Sequence, residues 1–363
     1  MKIVFVHADS KEEWNSSEWR CAIPARAINR TKRHQASLVN IIDFGKNTPE
    51  VQELCAAADV IVVERNLFGG VLSAIQYWKA RDKVVLANFD DAYDLMPESN
   101  LNYPFWGNGI IQTTGEKMNP MPLTQFKWGL RMVHAALVPS RRLVEDWQSY
   151  TKMVYLPNYI ELDHYQNIRP ESHKGIIIGW GGSISHLQSF MDSGVLQALR
   201  NVCRMRPEVK VMICGNDLRI THNLGLPRKQ MILQPWVSYR EWPRVLSRFD
   251  IGLAPLAGAY DERRSWIKVL EYLVMKIPWI ASEGSPYHEF RKYGIFVKNT
   301  TQAWEQAILD VVDHLVKYKE EASREAYLAG ISLGIDDNIE KVLDTFTSIY
   351  QDVLGRPIAV SGA

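Results

Sequence analysis

Gly179-Trp180-Gly181-Gly182-Ser183 directly follows the apolar run Ile176-Ile177-Ile178 and precedes a helical pattern that begins near His186–Phe190. Glycine admits close approach of the backbone to a ligand, and amides at a helix start cradle phosphate. A tight turn asks for the same residues, so the segment alone leaves both uses open. A dinucleotide fingerprint is disfavoured, because GxGxxG would need glycine at Ile184 and no acidic residue ends a strand about 20 residues on. Further along, Asp261-Glu262-Arg263-Arg264-Ser265-Trp266-Ile267-Lys268-Val269-Leu270-Glu271-Tyr272 sets Lys268 and Glu271 three residues apart, on one face of one helix. A cation for phosphate and a carboxylate for ribose hydroxyls suit a nucleoside diphosphate. An intrahelical salt bridge is the plainer use of the same spacing.

The first half supplies carboxylates. Asp90 and Asp91 follow the apolar run Val84–Ala87, at the carboxyl end of a predicted strand where α/β sites gather. One of two adjacent carboxylates can have a raised pKa and take the proton of an acceptor hydroxyl, whereas helix capping needs no such shift. Glu64-Arg65-Asn66 ends another predicted strand, and Arg65 suits an acceptor or pyrophosphate oxygen as well as an ordinary ion pair. His7 and Asp9 end the first strand and Arg20 sits on the loop after it; His7, Arg20 and Arg65 are read as acceptor-side contacts. Of the twelve tryptophans, Trp106 and Trp180 are the two placed to stack on a sugar, and the rest are expected in the core. Phe126–Arg131 with Arg141-Arg142 mixes aromatic and basic residues, which suits a solvated helix face or a weak peripheral contact with an anionic membrane.

Such residues need a scaffold that delivers them to one edge. Short β-branched runs (Ile3–Val6, Ser37–Ile42, Val60–Val63, Val84–Ala87, Lys152–Leu156) alternate with amphipathic stretches (Ala22–Arg30, Glu50–Ala58, Leu72–Ala80, Phe126–Val133, Arg141–Tyr150). This predicts a parallel sheet wrapped by helices. The pattern pauses over residues 97–125, a length that suggests a functional loop or lid. It resumes with strands at 175–179, Val209–Cys214, Ile232–Leu233, Ile251–Ala254 and Trp279–Ala281. Helices are predicted over Phe190–Met205, Arg240–Ser247, Trp266–Met275, Gln302–Val316, Lys319–Ala329 and Asn338–Leu354. The reading is an N-terminal domain over 1–157, a linker over 158–174, a second domain over 175–335, and a C-terminal helix and tail over 336–363 that pack back on the first. A length of 363 residues suits about two domains, and 46% apolar residues suffice for two cores. With 42 basic against 41 acidic residues the net charge is +1, and no basic stripe asks for nucleic acid. Cys21, Cys55, Cys203 and Cys214 form no CxxC pair and read as buried, reduced thiols. Neither a signal-peptide core nor a run of about 18 apolar residues is present, which predicts a cytoplasmic chain.

Three features together resemble a known family. They are the strand followed by Gly-Trp-Gly-Gly-Ser with His186, the segment Leu156-Pro157-Asn158-Tyr159-Ile160-Glu161-Leu162-Asp163, and Asp250-Ile251-Gly252-Leu253-Ala254-Pro255-Leu256 leading to Ser265-x-x-Lys268-x-Leu270-Glu271-Tyr272 with Pro278-x-Ile280-Ala281-Ser282. Over residues 155–290 their order and spacing look like retaining glycosyltransferases of the GT-B fold, family 4 and its relatives. The resemblance implies two doubly wound, Rossmann-like domains facing each other across a cleft, a nucleotide-sugar donor as co-substrate (a UDP- or GDP-sugar first), a hydroxyl acceptor, and neither metal nor other cofactor. It implies that Gly181, Gly182 and Ser183 approach the diphosphate, that His186 stands where relatives carry a basic side chain, and that Lys268 pairs with the diphosphate as leaving group. Leu270 and Glu271 lie in the motif that holds the ribose, Trp236 and Val237 where the base is held, and Glu283-Gly284-Ser285 towards the donor sugar. Arg263 occupies the position of the family's first glutamate, a departure that makes a catalytically silent sugar- or nucleotide-binding protein one alternative. An epimerase or a phosphorylase-like enzyme on the same scaffold is the other alternative.

Overall fold

The computed structural model describes residues 1–10, 15–215 and 218–356, with the side chains of Ile184, Leu218 and Ser285 outside the described set. The chain divides into two compact units. One comprises Met1–Asp94, Tyr103–Glu161 and the chain from Gly334 onward, the other Leu95–Asn102 and Leu162–Leu333.

The first unit is built on a six-stranded sheet: β1 (Lys2–His7), β2 (Gln35–Asn40), β3 (Val60–Glu64), β4 (Val84–Asn88), β5 (Ala135–Val138) and β6 (Lys152–Tyr155). The order is β2-β1-β3-β4-β5-β6, with every pairing parallel. β3 and β4 are buried along their whole length, as continuous apolar runs covered on both faces require. The second unit repeats the plan with β7 (Ile176–Gly181), β8 (Val209–Cys214), β9 (Met231–Gln234), β10 (Ile251–Ala254), β11 (Trp279–Ser282) and β12 (Ile295–Val297). Its order is β12-β11-β10-β7-β8-β9, again all parallel. Both are doubly wound Rossmann-like sheets. The strand order reverses between β1 and β3 in the first and between β7 and β10 in the second, the points outside which such sheets bind ligands.

The structure departs from the sequence expectations at several elements; the strand read over Ser37–Ile42 ends at Asn40, where the helix Ile41–Lys46 begins, and the helix read over Lys319–Ala329 is broken at residues 322–326. β5 was not anticipated, because His134-Ala135-Ala136 lacks β-branched residues; its alanines are wholly buried between β4 and β6, where small side chains fit. β12 has only three residues. The helix expected over Phe190–Met205 is two helices, Leu187–Asp192 and Val195–Met205, parted at Gly194. Gly194 has φ +83°, and a Cβ there would stand 2.7 Å from the Thr301 amide. Within 97–125 the chain forms the short helix Tyr103–Trp106 and a bridge between Ile110 and Lys117.

Candidate functional site

At the reversal point of the second unit, β7 ends on Gly181, and the helix Ile267–Val274 after β10 brings Lys268 to it. The Lys268 ammonium donates to the Gly181 carbonyl at 2.6 Å and stands 5.0 Å over the Trp180 ring. A Cβ on Gly182 would meet Trp180 at 2.7 Å and that ammonium at 3.0 Å, so glycine is what lets the lysine reach the backbone. At Gly181 a Cβ would run into the Trp242 ring. The Gly182 amide, expected at a phosphate, instead donates to the Cys214 carbonyl at 3.1 Å. Beyond it the Ser183 and Ser185 hydroxyls lie 2.9 Å apart.

His186 and Arg263, which the resemblance sets at the donor side, are both engaged by neighbouring groups. The His186 imidazole is buried, and burial together with the Arg264 and Lys268 charges holds it neutral, well below the usual histidine range. Its Nε2 lies 3.0 Å from the Arg264 guanidinium and accepts from it. Arg263 donates to its own segment, to the Ala259 carbonyl at 3.1 Å, with Glu262 at 3.6 Å. Its neighbour Arg264, which the sequence reading passed over, is the buried cation. It binds Asp261 at 2.7 Å and the Ser185 carbonyl and hydroxyl at 3.2 and 3.1 Å. The Asp261-x-x-Arg264 spacing is the signal that could have found it.

Glu271 is buried one turn beyond Lys268. Its Oε1 accepts the Trp242 indole N–H at 2.8 Å and the Tyr165 hydroxyl at 3.0 Å. Burial pushes the carboxyl up to about 7, against the pull of those bonds and of the Lys268 charge. Leu270 has no exposed surface, so its side chain is core and not a ligand contact. Trp180 is likewise core, edge-on to Phe190 at 4.7 Å, and cannot stack on a sugar. Trp236 and Val237 are half-buried on the loop after β9. After β11, Glu283 is exposed with Arg291 at 3.3 Å, Gly284 is extended, and the Ser285 side chain lies outside the described set.

In the first unit, acids follow or end three neighbouring strands: Asp9 after β1, Glu64 on β3 and Asp90 after β4. Glu64 is wholly buried. Its Oε2 accepts the Ala8 amide at 2.8 Å and the Ser17 hydroxyl, while Oε1, 3.6 Å from the Arg65 guanidinium, has no hydrogen bond among the described residues. Burial pushes this carboxyl up to about 7. Burial acts on Asp9 in the same sense, but the Arg65 charge and the Ser17 and Asn15 amides overcome it and hold Asp9 low. Asp90 accepts the Ser16 hydroxyl and the Tyr93 hydroxyl at 3.2 Å, and Asp91 is half-buried beside it. Arg65 pairs with Asp9, its backbone at φ +38°. His7 is buried with Nδ1 3.1 Å from the Asp9 carbonyl.

Two acceptor-side expectations are corrected. Arg20 is interior: it donates to Asn88, Asn158 and the Leu156 carbonyl at 2.8–2.9 Å, lines a small cavity with Phe5 and Phe346, and burial lowers it to about 10. Trp106 is buried among Phe68, Tyr93 and Phe126, an aromatic cluster that leaves no face for a sugar. In the basic and aromatic stretch, Phe126 and Leu130 are buried, and Arg131 and Arg141 stack on Tyr150 and Tyr155 at 4.7 and 4.4 Å. Among the described residues no helix is long and apolar enough to cross a membrane.

No protein-family model matches the chain, and no curated protein matches it in sequence. Solved structures do match in fold. The Anabaena protein HepE, in complex with UDP and glucose, aligns with a TM-score of 0.65 at 12% identity over 96% of this chain and 100% of its own. A sucrose-phosphate synthase from Thermosynechococcus elongatus aligns at 0.63 and 10% identity, over 97% and 100%. A UDP-N-acetylglucosamine 2-epimerase-like protein from Listeria monocytogenes aligns at 0.58 and 13% identity, over 97% of each. With its two six-stranded parallel sheets, the chain has the two-Rossmann-unit GT-B fold that glycosyltransferases share with such epimerases.

Proposed function

We propose that the protein is a glycosyltransferase that moves a sugar from a nucleoside diphosphate sugar to an acceptor hydroxyl, with retention at the anomeric carbon. The observation that carries this reading is the grouping of Lys268, the Gly181-Gly182 turn and Glu271 at the reversal point of the second sheet. The names of fold neighbours support the ligand class: HepE complexes contain UDP or UDP-glucose. In this reading Lys268 turns one of its three donors to the diphosphate, Glu271 accepts from the ribose, and the loop at Trp236 and Val237 receives the base. Glu283 and Gly284 border the sugar. The bond from the anomeric carbon to the diphosphate oxygen breaks, the acceptor oxygen bonds to that carbon, and the acceptor proton leaves with the diphosphate. No metal is assigned a role, and Lys268 stabilises the charge that develops on the leaving group.

Thermal unfolding with UDP, GDP, ADP and dTDP is the first test, since a ligand at 100 times its Kd adds about 2.7 kcal/mol. Lys268→Ala is then expected to lower turnover of the matching nucleotide sugar by about 100- to 1000-fold, as for the loss of one preorganised donor. Turnover equal to wild type would sink the assignment. An epimerase is the second reading, favoured by the Listeria neighbour that aligns over 97% of the chain. It predicts a changed sugar nucleotide with no acceptor added, where the transferase predicts none.

A further inference from the structure

Glu271 is fixed by two side chains that lie far from it in sequence. Tyr165, nearly buried on the segment after Leu162–His164, and Trp242, half-buried at the start of the helix Trp242–Leu246, both donate to the same oxygen, Oε1. Oε2 accepts no hydrogen bond among the described residues, although an ionised carboxylate has acceptor sites on both oxygens. Both donors are themselves held. The Tyr165 ring meets Tyr239 edge-on at 6.3 Å, and the Trp242 ring meets Phe249 edge-on at 6.2 Å. Trp242 also occupies the space that a side chain at residue 181 would need, so one indole touches the glycine turn and holds the carboxylate.

We propose that Tyr165 and Trp242 are the positioning residues of the ribose contact, loading Oε1 of Glu271 so that Oε2 is the oxygen presented to the ribose hydroxyls of the bound nucleotide. This rests on the reading of the second unit as the donor site. Two donors on one oxygen restrict rotation of the carboxylate about its terminal torsion, which is otherwise soft. They also favour the ionised form, the better acceptor for a diol, against burial that favours the neutral one. Trp242 further makes the ribose contact depend on the same ring that backs the glycine turn, so the diphosphate and ribose ends of the site are set by one side chain.

The test compares each ribonucleoside diphosphate with its 2′,3′-dideoxy analogue by calorimetric titration, using UDP first and GDP and ADP if UDP is silent. The full chain is used as wild type, Tyr165→Phe and Trp242→Phe. Wild type is expected to prefer the ribonucleotide by about tenfold or more, from hydrogen bonds to a charged acceptor. Tyr165→Phe is expected to bind the dideoxy analogue as wild type does while losing most of that preference, and Trp242→Phe, whose ring also backs the glycine turn, to lose the preference on top of any loss shared by both ligands. Tyr165→Phe keeps the ring and removes only the hydroxyl, so it decides the matter if Trp242→Phe does not fold. Equal losses for both ligands in Tyr165→Phe, or a preference that survives in folded variants, would overturn the positioning role and leave the donor site standing. Wild type that binds a diphosphate without preferring the ribonucleotide overturns it as well. Failure of all three diphosphates to bind wild type would overturn the donor site itself, and the inference with it.

Discussion

Glu64 is the residue whose burial has the clearest measurable consequence. Its carboxyl is raised to about 7, so between the ordinary glutamate value and that figure the folded chain keeps a proton that the unfolded chain has released. Its contribution to stability is therefore full below about pH 4.5, declines as pH rises through about 7, and is gone above that. Between pH 5 and pH 8 Glu64 is expected to supply a fall of up to about 3 kcal/mol, against the rise that buried, neutral His186 contributes below the ordinary histidine value, and urea unfolding reads it as the difference in slope between wild type and Glu64→Gln. Glu64→Gln, neutral throughout, should lose that share of the slope; Glu271, raised into the same range, keeps the rest. Identical slopes for wild type and variant would show that Glu64 is ionised in the folded state. Lys268, Glu271 and the glycine turn can be grouped from sequence because their signals are local, a strand, a turn and an i,i+3 pair. Arg264 was passed over for its neighbour although Asp261 stands three residues before it, whereas Tyr165 and Trp242 could not be anticipated, since they meet Glu271 across 106 and 29 residues.

At the scale of the element, β7 depends on glycine because aromatic rings lie against it. Cβ atoms on Gly179 and Gly181 would fall within the rings of Phe249 and Trp242. Gly181→Ala is expected to destabilise the second unit by about 1–3 kcal/mol through overpacking, read as a lower urea midpoint at unchanged slope. In a Trp242→Leu background the same substitution should cost less, because the smaller side chain vacates part of the space; an unchanged penalty would mean that the strain comes from β7's own backbone. This use of glycine is invisible in sequence, where Gly-Trp-Gly-Gly reads equally as a phosphate turn. The alternation of strands and helices was legible because buried parallel strands are continuous apolar runs. The strands that escaped notice are those whose place is set by neighbours: β5, which tolerates alanine because β4 and β6 flank it, and β12, three residues at a sheet edge. Sheet order is a property of long-range pairing and has no local signal.

For the whole molecule, the chain leaves the first unit at Glu161 and returns to it at Gly334, so that unit is completed only by the last helix, Ile335–Leu354. The two passes are joined: the Ile335 amide donates to the Ile160 carbonyl at 2.8 Å, and Arg30 bridges Glu161 and Asp336 at 2.8 Å each. The helix buries Ile335, Ile339, Val342, Leu343, Phe346, Ile349 and Tyr350, with Phe346 edge-on to Phe5 of β1 at 6.0 Å. Seven apolar side chains at about 1.5 kcal/mol each amount to about 10 kcal/mol, as much as a domain's whole stability. A chain ending at Leu333 is therefore expected to lose the first unit's cooperative unfolding although every strand of its sheet is retained. Limited proteolysis should then cut first within residues 1–161 and leave a resistant fragment over 162–333, whose core draws on none of the removed residues. If the truncated chain resisted cleavage in 1–161 as wild type does, the helix would be an appendage of the first unit and not part of its core. If 162–333 were degraded at the same rate, the second unit would depend on the first for its stability.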